Sequence, residues 1–217
     1  WLDEITSSQR PLSFYIHIPF CRSRCYYCGC NTLVTRKQSQ SAIYVEHLTK
    51  EIHRVGKLLH SDKQIRQLHF GGGTPTFLLN EEFEQILDTI QSNFAFETDA
   101  EIAIEIDPRT IRTDQLRFLS EKGFNRLSLG VQDFDDTVQT AINRIQSEEM
   151  TFEHLQTARS LGFKGINFDL IYGLPFQTLD SFNQTLATVI KMKPDRLAIY
   201  NFGYLPERMR HQKKIDP

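Results

Sequence analysis

The stretch "EIAIEID" at residues 101–107 decides the predicted fold, because two kinds of side chain alternate along it. In an extended strand the three isoleucines share one face, and the remaining side chains, among them Glu105 and Asp107, share the other. A central strand of a doubly wound sheet is apolar on both faces, since helices cover both. One apolar and one polar face instead indicate a barrel strand, with helices outside and a polar lumen inside.

Five further segments have strand character, and segments of helical period separate them. These strands are predicted at "SFYIHI" (13–18), "IRQLHF" (65–70), "RLSLGV" (126–131), "INFDLIY" (166–172) and "DRLAIYN" (195–201). Apolar stripes predict helices within residues 44–59, 83–94, 116–119, 152–158 and 182–190. Helix starts are predicted at Asn80 and Thr178, and helix stops at Gly123 and Gly162.

Strands that alternate with helices imply parallel pairing with right-handed crossovers. We therefore predict an α/β fold, a partial TIM-like (β/α)6 barrel of parallel strands with outer helices. An open doubly wound sheet is the alternative. The composition, 40% hydrophobic and 24% charged over 217 residues, fits one globular domain, which we assign to residues 1–217.

The charge and the chain ends narrow the class of protein further. A net charge of −2 argues against a nucleic-acid partner. No apolar run has the length of a membrane span, and the first residues lack a signal-peptide pattern. We therefore predict a cytoplasmic location without membrane insertion. Because the chain starts without Met and stops at "KKIDP", we expect a piece of a longer protein, with "RMRHQKK" (208–214) as a solvated segment.

All four cysteines lie in "PFCRSRCYYCGCN", just after the first predicted strand, with the spacing C-x3-C-x2-C-x-C. Loops this short make a poor disulfide framework, and the cytosol is reducing. Three thiolates in a tight loop suit an iron–sulfur cluster. Structural zinc usually takes two pairs with a longer insert between them. A redox C-x-x-C at Cys25 and Cys28 would leave two cysteines unused, so the cluster is favoured over both alternatives.

The glycine run "GGGTP" (71–75) follows a predicted strand and precedes a helix. Three glycines leave the backbone open to a ligand, but the segment has no P-loop lysine. A tight turn between strand and helix is the alternative interpretation.

Polar residues at strand positions need partners. Glu105 on a polar strand face requires a cofactor group or an ion pair with Arg126 or Arg144. Asp107, ahead of Pro108, is predicted to form a turn. Two strand histidines, His17 and His69, are lumen-facing candidates that we interpret as satisfied core residues.

Six segments, taken together and in order, resemble the oxygen-independent coproporphyrinogen III oxidase family of the radical S-adenosylmethionine superfamily. They are "YIHIPFCRSRCYYCGCN", "HFGGGTPT", "IEIDPR", "GVQDF", "INFDLIYGLP" and "YNFGYLP". The resemblance runs from Pro11 to Pro206, nearly the whole chain. One such motif would be only suggestive, whereas six in this order are specific.

The resemblance implies a set of site residues. Cys21, Cys25 and Cys28 would bind a 4Fe–4S cluster whose fourth iron is open to S-adenosylmethionine. "GGGTP" would contact the methionine part of that cofactor, and a second S-adenosylmethionine would bind near the first. Residues matched around the first cofactor are Tyr15, Gly72, Glu105 and Gly203. Residues matched around the second are Tyr27, Gly73, Thr74, Gln132, Arg144 and Asp169.

Cys30 matches a fourth family cysteine that does not bind the cluster, and we predict a catalytic role for it. Its alternative interpretation is a small buried hydrophobic side chain.

The resemblance also implies the reaction and its partners. Two propionate groups of coproporphyrinogen III would be decarboxylated to vinyl groups, giving protoporphyrinogen IX in haem biosynthesis, through a 5′-deoxyadenosyl radical. An external one-electron donor such as flavodoxin or ferredoxin would reduce the cluster. Because the family has an N-terminal arm and a C-terminal part that this chain lacks, we expect cluster binding without turnover of coproporphyrinogen.

Two other functions remain open at this point. A haem chaperone of the same superfamily would keep the cluster and transfer haem, but Cys30–Asn31 favours the oxidase. A zinc-stabilised binding module would be colourless.

Overall fold

A computed structural model describes residues 10–59 and 63–215 of the chain. Over these residues the protein is an α/β domain with six main strands and two short ones. The strands are β1 (Leu12–Ile18), β2 (Phe20–Cys21), β3 (Leu33–Val34), β4 (Gln64–Gly72), β5 (Ala95–Ile106), β6 (Arg126–Gln132), β7 (Gly165–Tyr172) and β8 (Arg196–Asn201). Six helices and two 3₁₀ turns alternate with them. They are α1 (Ser39–Leu58), a 3₁₀ turn (Pro75–Phe77), α2 (Asn80–Asn93), α3 (Thr113–Glu121), α4 (Asp136–Ala141), α5 (Glu148–Ser160), α6 (Leu179–Met192) and a 3₁₀ turn (Arg210–Lys214).

The predicted helix boundaries are confirmed, and local hydrogen bonds explain them. Helix α2 begins at Asn80, and the Glu82 side chain accepts from the Leu79 backbone N–H at 2.7 Å. Thr178 caps α6 by accepting from the Ser181 N–H at 3.0 Å. Just beyond the ends of α3 and α5, Gly123 and Gly162 adopt φ values of +89° and +86°, which glycine adopts without steric cost.

The main sheet settles the choice between barrel and doubly wound sheet. Its strand order is β1-β4-β5-β6-β7-β8, and every neighbouring pair is parallel. The order never reverses, whereas a doubly wound sheet has a point at which it does. Among the described residues β1 and β8 are the two edges of this sheet, so the fold is a partial TIM-like barrel, as predicted.

The faces of the strands are arranged as the alternation in "EIAIEID" predicts. Ile104 and Ile106 are 0% and 3% exposed and belong to the apolar core between sheet and helices. Ala103 and Glu105 instead line a hollow on the inner side of the sheet. Strand β5 begins at Ala95, six residues before the predicted start, because its first residues still pair with β4 across a register shift.

Among the described residues, no helix combines the length and the apolar character that a membrane span requires.

Candidate cluster and cofactor site

A hollow of about 280 Å³ opens at the carboxyl ends of the strands. The segments that border it are the cysteine loop after β1, the glycine run after β4, the turn after β5, the end of β6 and the loop before α5. In barrels of parallel strands the reactive site lies at this end, because loops from several strands converge there. A second hollow lies among residues nearer the strand starts, and Glu105 and Asp169 border both.

All but two of the predicted site residues line the first hollow. They are Cys21, Cys25, Tyr27, Cys28, Cys30, Gly72, Gly73, Thr74, Glu105, Gln132, Arg144 and Asp169. Tyr15 lies beside the hollow on edge strand β1, where its ring stacks on His69. Gly203 lies near Tyr27, because the Gln212 side chain donates to the backbone carbonyls of both residues. The structure therefore brings the predicted residues together at one end of the barrel.

Backbone hydrogen bonds fix the cysteine loop. The carbonyl of Cys21 accepts from the Thr35 N–H at 2.9 Å, and the Tyr26 N–H donates to Ile142 O at 2.9 Å. The Arg22 guanidinium lies over the Phe77 ring, 5.0 Å from its centroid. These contacts tie the loop to three other parts of the chain and give the thiols defined positions.

The C-terminal segment also contacts this loop. The prediction of a solvated "RMRHQKK" segment is therefore confirmed for its exposed Arg and Lys residues but wrong for His211 and Gln212. His211 Nε2 lies 2.6 Å from Cys28 O, and Gln212 Nε2 donates to Tyr27 O at 3.1 Å. Gln212 is 1% exposed. The composition of the segment is polar, but these backbone carbonyls need donors, and a local sequence pattern does not reveal such a need.

Each predicted ligand thiol accepts a hydrogen bond. Thr74 Oγ1 donates to Cys21 Sγ at 3.6 Å, and the Cys30 N–H donates to Cys28 Sγ at 3.4 Å. Hydrogen bonding from Cys30 lowers the pKa of the Cys28 thiol to about 6, whereas burial raises the pKa of Cys21. Cys30 itself is exposed, so its alternative interpretation as a buried hydrophobic side chain is wrong.

Two guanidinium groups surround Cys25. Arg109 Nη2 donates to Cys25 Sγ at 3.3 Å, and Arg144 Nη1 donates to the same atom at 3.5 Å. Both arginines pair with Asp107, at 2.6 Å and 3.4 Å. Burial alone would raise the pKa of Asp107, but Arg144 and Arg109 hold it below its ordinary value. Asp107 also forms the predicted turn, since its carbonyl accepts from the Thr110 N–H at 3.0 Å.

Arg109 lies in the segment "IEIDPR", but the sequence patterns predicted no role for it. The signal that could have found it is the pair of oppositely charged residues around Pro108, at the end of a strand that points toward the cysteine loop.

Glu105 does not form the ion pair with Arg126 or Arg144 that was considered for it. Its carboxylate accepts from the Gly72 N–H and lies within hydrogen-bond distance of His69 Nε2, both at 3.1 Å. Arg126 pairs with Glu101 instead, because its place on β6 is opposite Ala103, and Arg144 pairs with Asp107. Either ion pair for Glu105 is therefore a wrong interpretation.

The two strand histidines have partners, as predicted, but both are only partly buried, so their interpretation as core residues is wrong. Besides the contact between His69 and Glu105, His17 Nε2 lies 2.9 Å from Asn31 O.

Asp169 adds a second carboxylate to the hollow. It accepts from Ser128 Oγ at 2.7 Å and from Asn167 Nδ2 at 2.8 Å. Burial raises its pKa, although these hydrogen bonds oppose the rise. Two neutral donors leave lone pairs of the carboxylate free for a ligand with hydroxyl or ammonium groups.

The donor set fits a multi-iron cluster. Within residues 10–59 and 63–215, no three His, Cys, Asp or Glu side chains form a group that could hold a single metal ion. All three thiols border the same hollow, and a 4Fe–4S cube would take each thiolate on a different iron. Gly73 keeps the space beside Cys21 open, because a Cβ there would lie 2.9 Å from Cys21 Sγ and 2.7 Å from Phe20 O.

Replacing Gly73 with Ala is expected to reduce the iron bound after anaerobic reconstitution severalfold. The added methyl group meets backbone and the Cys21 sulfur, so the cysteine loop must move. Gly29→Ala is the matched control, because a Cβ at Gly29, in the same loop, meets no atom within 4 Å. Iron per chain, measured after desalting, checks the prediction. Equal iron in both variants would contradict it.

The fold and site define the class of protein: an α/β partial barrel of parallel strands, with a thiol-bearing loop, a glycine run and carboxylates around one hollow. Residues 15–189 match the Radical SAM superfamily, and the chain therefore belongs to that superfamily. Membership implies a 4Fe–4S cluster and S-adenosylmethionine as cofactors. The prediction that the chain belongs to the radical S-adenosylmethionine superfamily is thus confirmed.

Individual relatives carry one shared description. The oxygen-independent coproporphyrinogen III oxidase of Salmonella typhimurium is 50% identical over 208 residues, which cover 95% of this chain and 45% of the relative. The oxygen-independent coproporphyrinogen III oxidase of Escherichia coli is 49% identical over 208 residues, which also cover 95% of this chain and 45% of the relative. A solved structure of coproporphyrinogen III oxidase from Escherichia coli, described as a radical SAM enzyme, has a TM-score of 0.95 at 47% identity, covering 99% of this chain and 50% of that chain. This chain spans about half the length of these relatives.

Proposed function

We propose that this chain is the radical S-adenosylmethionine core of an oxygen-independent coproporphyrinogen III oxidase, an oxidoreductase of haem biosynthesis. The observation that carries the proposal is the single hollow in which Cys21, Cys25 and Cys28 lie together with the glycine run and the carboxylates Glu105 and Asp169. Similarity to relatives of that name over 95% of the chain supports it.

The predicted residues divide into two groups by their chemistry. The three thiols at Cys21, Cys25 and Cys28 would hold the 4Fe–4S cluster, which supplies the electron for reductive cleavage of S-adenosylmethionine. Backbone groups of the glycine run and the Glu105 carboxylate would orient the methionine and ribose parts of this cofactor. Glu105 is preoriented for this task, because the Gly72 N–H and His69 Nε2 each contact one of its carboxylate oxygens.

A second S-adenosylmethionine would lie toward the Asp169 side of the hollow. Gln132, Arg144 and Tyr27 border the hollow together with Asp169. Arg144 is 6% exposed and Gln132 is 8% exposed, so both are fixed by packing rather than mobile in solvent. Tyr15 and Gly203, beside the hollow, complete the proposed contacts to the first cofactor.

The substrate and electron donor follow from the same proposal. Coproporphyrinogen III would enter from the open side of the barrel, between β1 and β8. Cys30, which is exposed and borders the hollow, would take part in proton or hydrogen transfer. Flavodoxin or ferredoxin would supply electrons. The cytoplasmic location remains a prediction.

Anaerobic reconstitution with iron and sulfide tests the cluster and the cofactor in one preparation. We expect iron and sulfide in equal amounts, a brown absorption band, and an electron paramagnetic resonance (EPR) signal after reduction that changes when S-adenosylmethionine is added. Glu105→Gln should keep the iron and weaken the effect of S-adenosylmethionine, because it removes charge and keeps shape. Zinc, or no metal, in a folded protein would contradict the proposal.

The proposed activity on coproporphyrinogen III is tested with the longest form of the protein that folds. Formation of vinyl product from coproporphyrinogen III, dependent on S-adenosylmethionine, supports the oxidase. Transfer of haem without vinyl product would indicate the haem chaperone instead.

A further inference from the structure

Arg109 occupies a position between the predicted cluster ligand and a buried acid. Its Nη2 donates to Cys25 Sγ at 3.3 Å and to Asp107 Oδ2 at 2.6 Å, and its Nε donates to Asp107 Oδ1 at 2.9 Å. The side chain is 17% exposed. The planar guanidinium thus faces a thiol and a carboxylate at once, an arrangement that its fixed fork of donors permits.

The same side chain connects the cysteine loop with the loop before α5. Arg109 Nη1 donates to Asn143 O at 3.3 Å, and Asn143 Nδ2 donates to Arg24 O at 2.8 Å within the cysteine loop. Arg109 therefore joins three chain segments that meet at Cys25. A residue with these contacts orients the thiol as well as contacting it.

The charges around Cys25 do not cancel. Asp107 carries one negative charge and faces two guanidinium groups, those of Arg109 and Arg144, so this group has a net charge of +1 beside the thiol. The other two predicted ligands differ, because their donors, Thr74 Oγ1 and the Cys30 N–H, are uncharged. Positive charge and N–H···S hydrogen bonds both stabilise the added negative charge of a reduced cluster.

We propose that Arg109 is a positioning residue that raises the reduction potential of the cluster through its hydrogen bond to the Cys25 sulfur and its partly buried positive charge. The proposal rests on the cluster site of the proposed function. It assigns to this arginine a redox role distinct from cofactor contact, which Arg144 is expected to make.

Potentiometric titration monitored by EPR tests this in the anaerobically reconstituted protein. We expect the midpoint potential to become more negative in Arg109→Gln, which removes the charge. Arg109→Lys, which keeps the charge and loses the planar fork, should give a smaller shift in the same direction. Arg112→Gln is the matched control and should leave the potential unchanged, because Arg112 is exposed and pairs with Asp114 on the surface.

Iron and sulfide contents separate the two proposals. If the unaltered protein binds no cluster, the proposed function fails. If all variants bind the cluster and Arg109→Gln has the potential of the unaltered protein or a more positive one, the role of Arg109 is refuted and the cluster site stands. If Arg109→Gln binds no iron, the midpoint potential of Arg109→Lys provides the test. A potential of Arg109→Lys equal to or more positive than that of the unaltered protein then refutes the role of Arg109.

Discussion

Replacing Cys25 with Ala is expected to abolish iron binding after anaerobic reconstitution. The Cys25 thiolate is a proposed cluster ligand, and a methyl group offers no lone pair to iron. The fold should survive, because Cys25 is 8% exposed and Ala fits the same space. Iron and sulfide per folded chain provide the measurement, and far-ultraviolet circular dichroism checks the fold.

Cys30→Ala is the matched control for Cys25→Ala. Cys30 lies in the same loop, is exposed and is not a predicted ligand, and its backbone N–H, which donates to Cys28 Sγ, remains in the variant. We expect this variant to retain its iron. Loss of iron from Cys30→Ala, or retention of iron by Cys25→Ala, would show that the three ligands are assigned wrongly.

Replacing Asp107 with Ala is expected to lower the free energy of unfolding by about 3–5 kcal/mol, the usual cost of removing one partner from a buried ion pair. Arg144 is 6% exposed and would remain charged without a carboxylate. Urea denaturation at neutral pH measures the loss. Because Arg144 and Arg109 hold the folded-state pKa of Asp107 below its ordinary value of 3.8, its contribution is present above that pH.

The pH dependence gives this second prediction a check of its own. Below pH 3.8 the unfolded chain takes up this proton first, and as the pH falls on through the lower folded-state pKa of Asp107 the difference between the unaltered protein and Asp107→Ala should shrink. Asp114→Ala is the control, since Asp114 pairs with Arg112 at an exposed site, and its removal should change stability little. Equal losses in the two variants would contradict the buried ion pair.

Much of the fold could be read from local patterns. The alternation in "EIAIEID" predicted both the core face of β5 and its lumen face, and the glycines at 123 and 162 predicted helix ends. Helix α4 (Asp136–Ala141) was not predicted, because six residues are too few to show a helical period. The early start of β5 was missed since its first residues, "AFETDA", lack a regular alternation.

The predicted site residues lie close together in the structure, but the contacts that they make were not predicted. Glu105 was expected to need a partner, and it has one, but the partners are His69 and Gly72 rather than an arginine. The segment at 208–214 was interpreted as solvated, although Gln212 donates into the cysteine loop. In each case the missing information was which chain segments pack side by side.

The sequence by itself determined the barrel class and the thiol spacing, since both follow from residues that are near neighbours along the chain. Only the tertiary structure decided the surroundings of Cys25, because Arg109 and Arg144 lie 84 and 119 residues away from it. Strand alternation is a consequence of local backbone geometry, whereas a buried charge can take whichever partner the folded chain brings within reach. Asp107, Arg109 and Arg144 meet at Cys25 because parallel strands deliver their carboxyl ends, and the loops that follow them, to one end of the barrel.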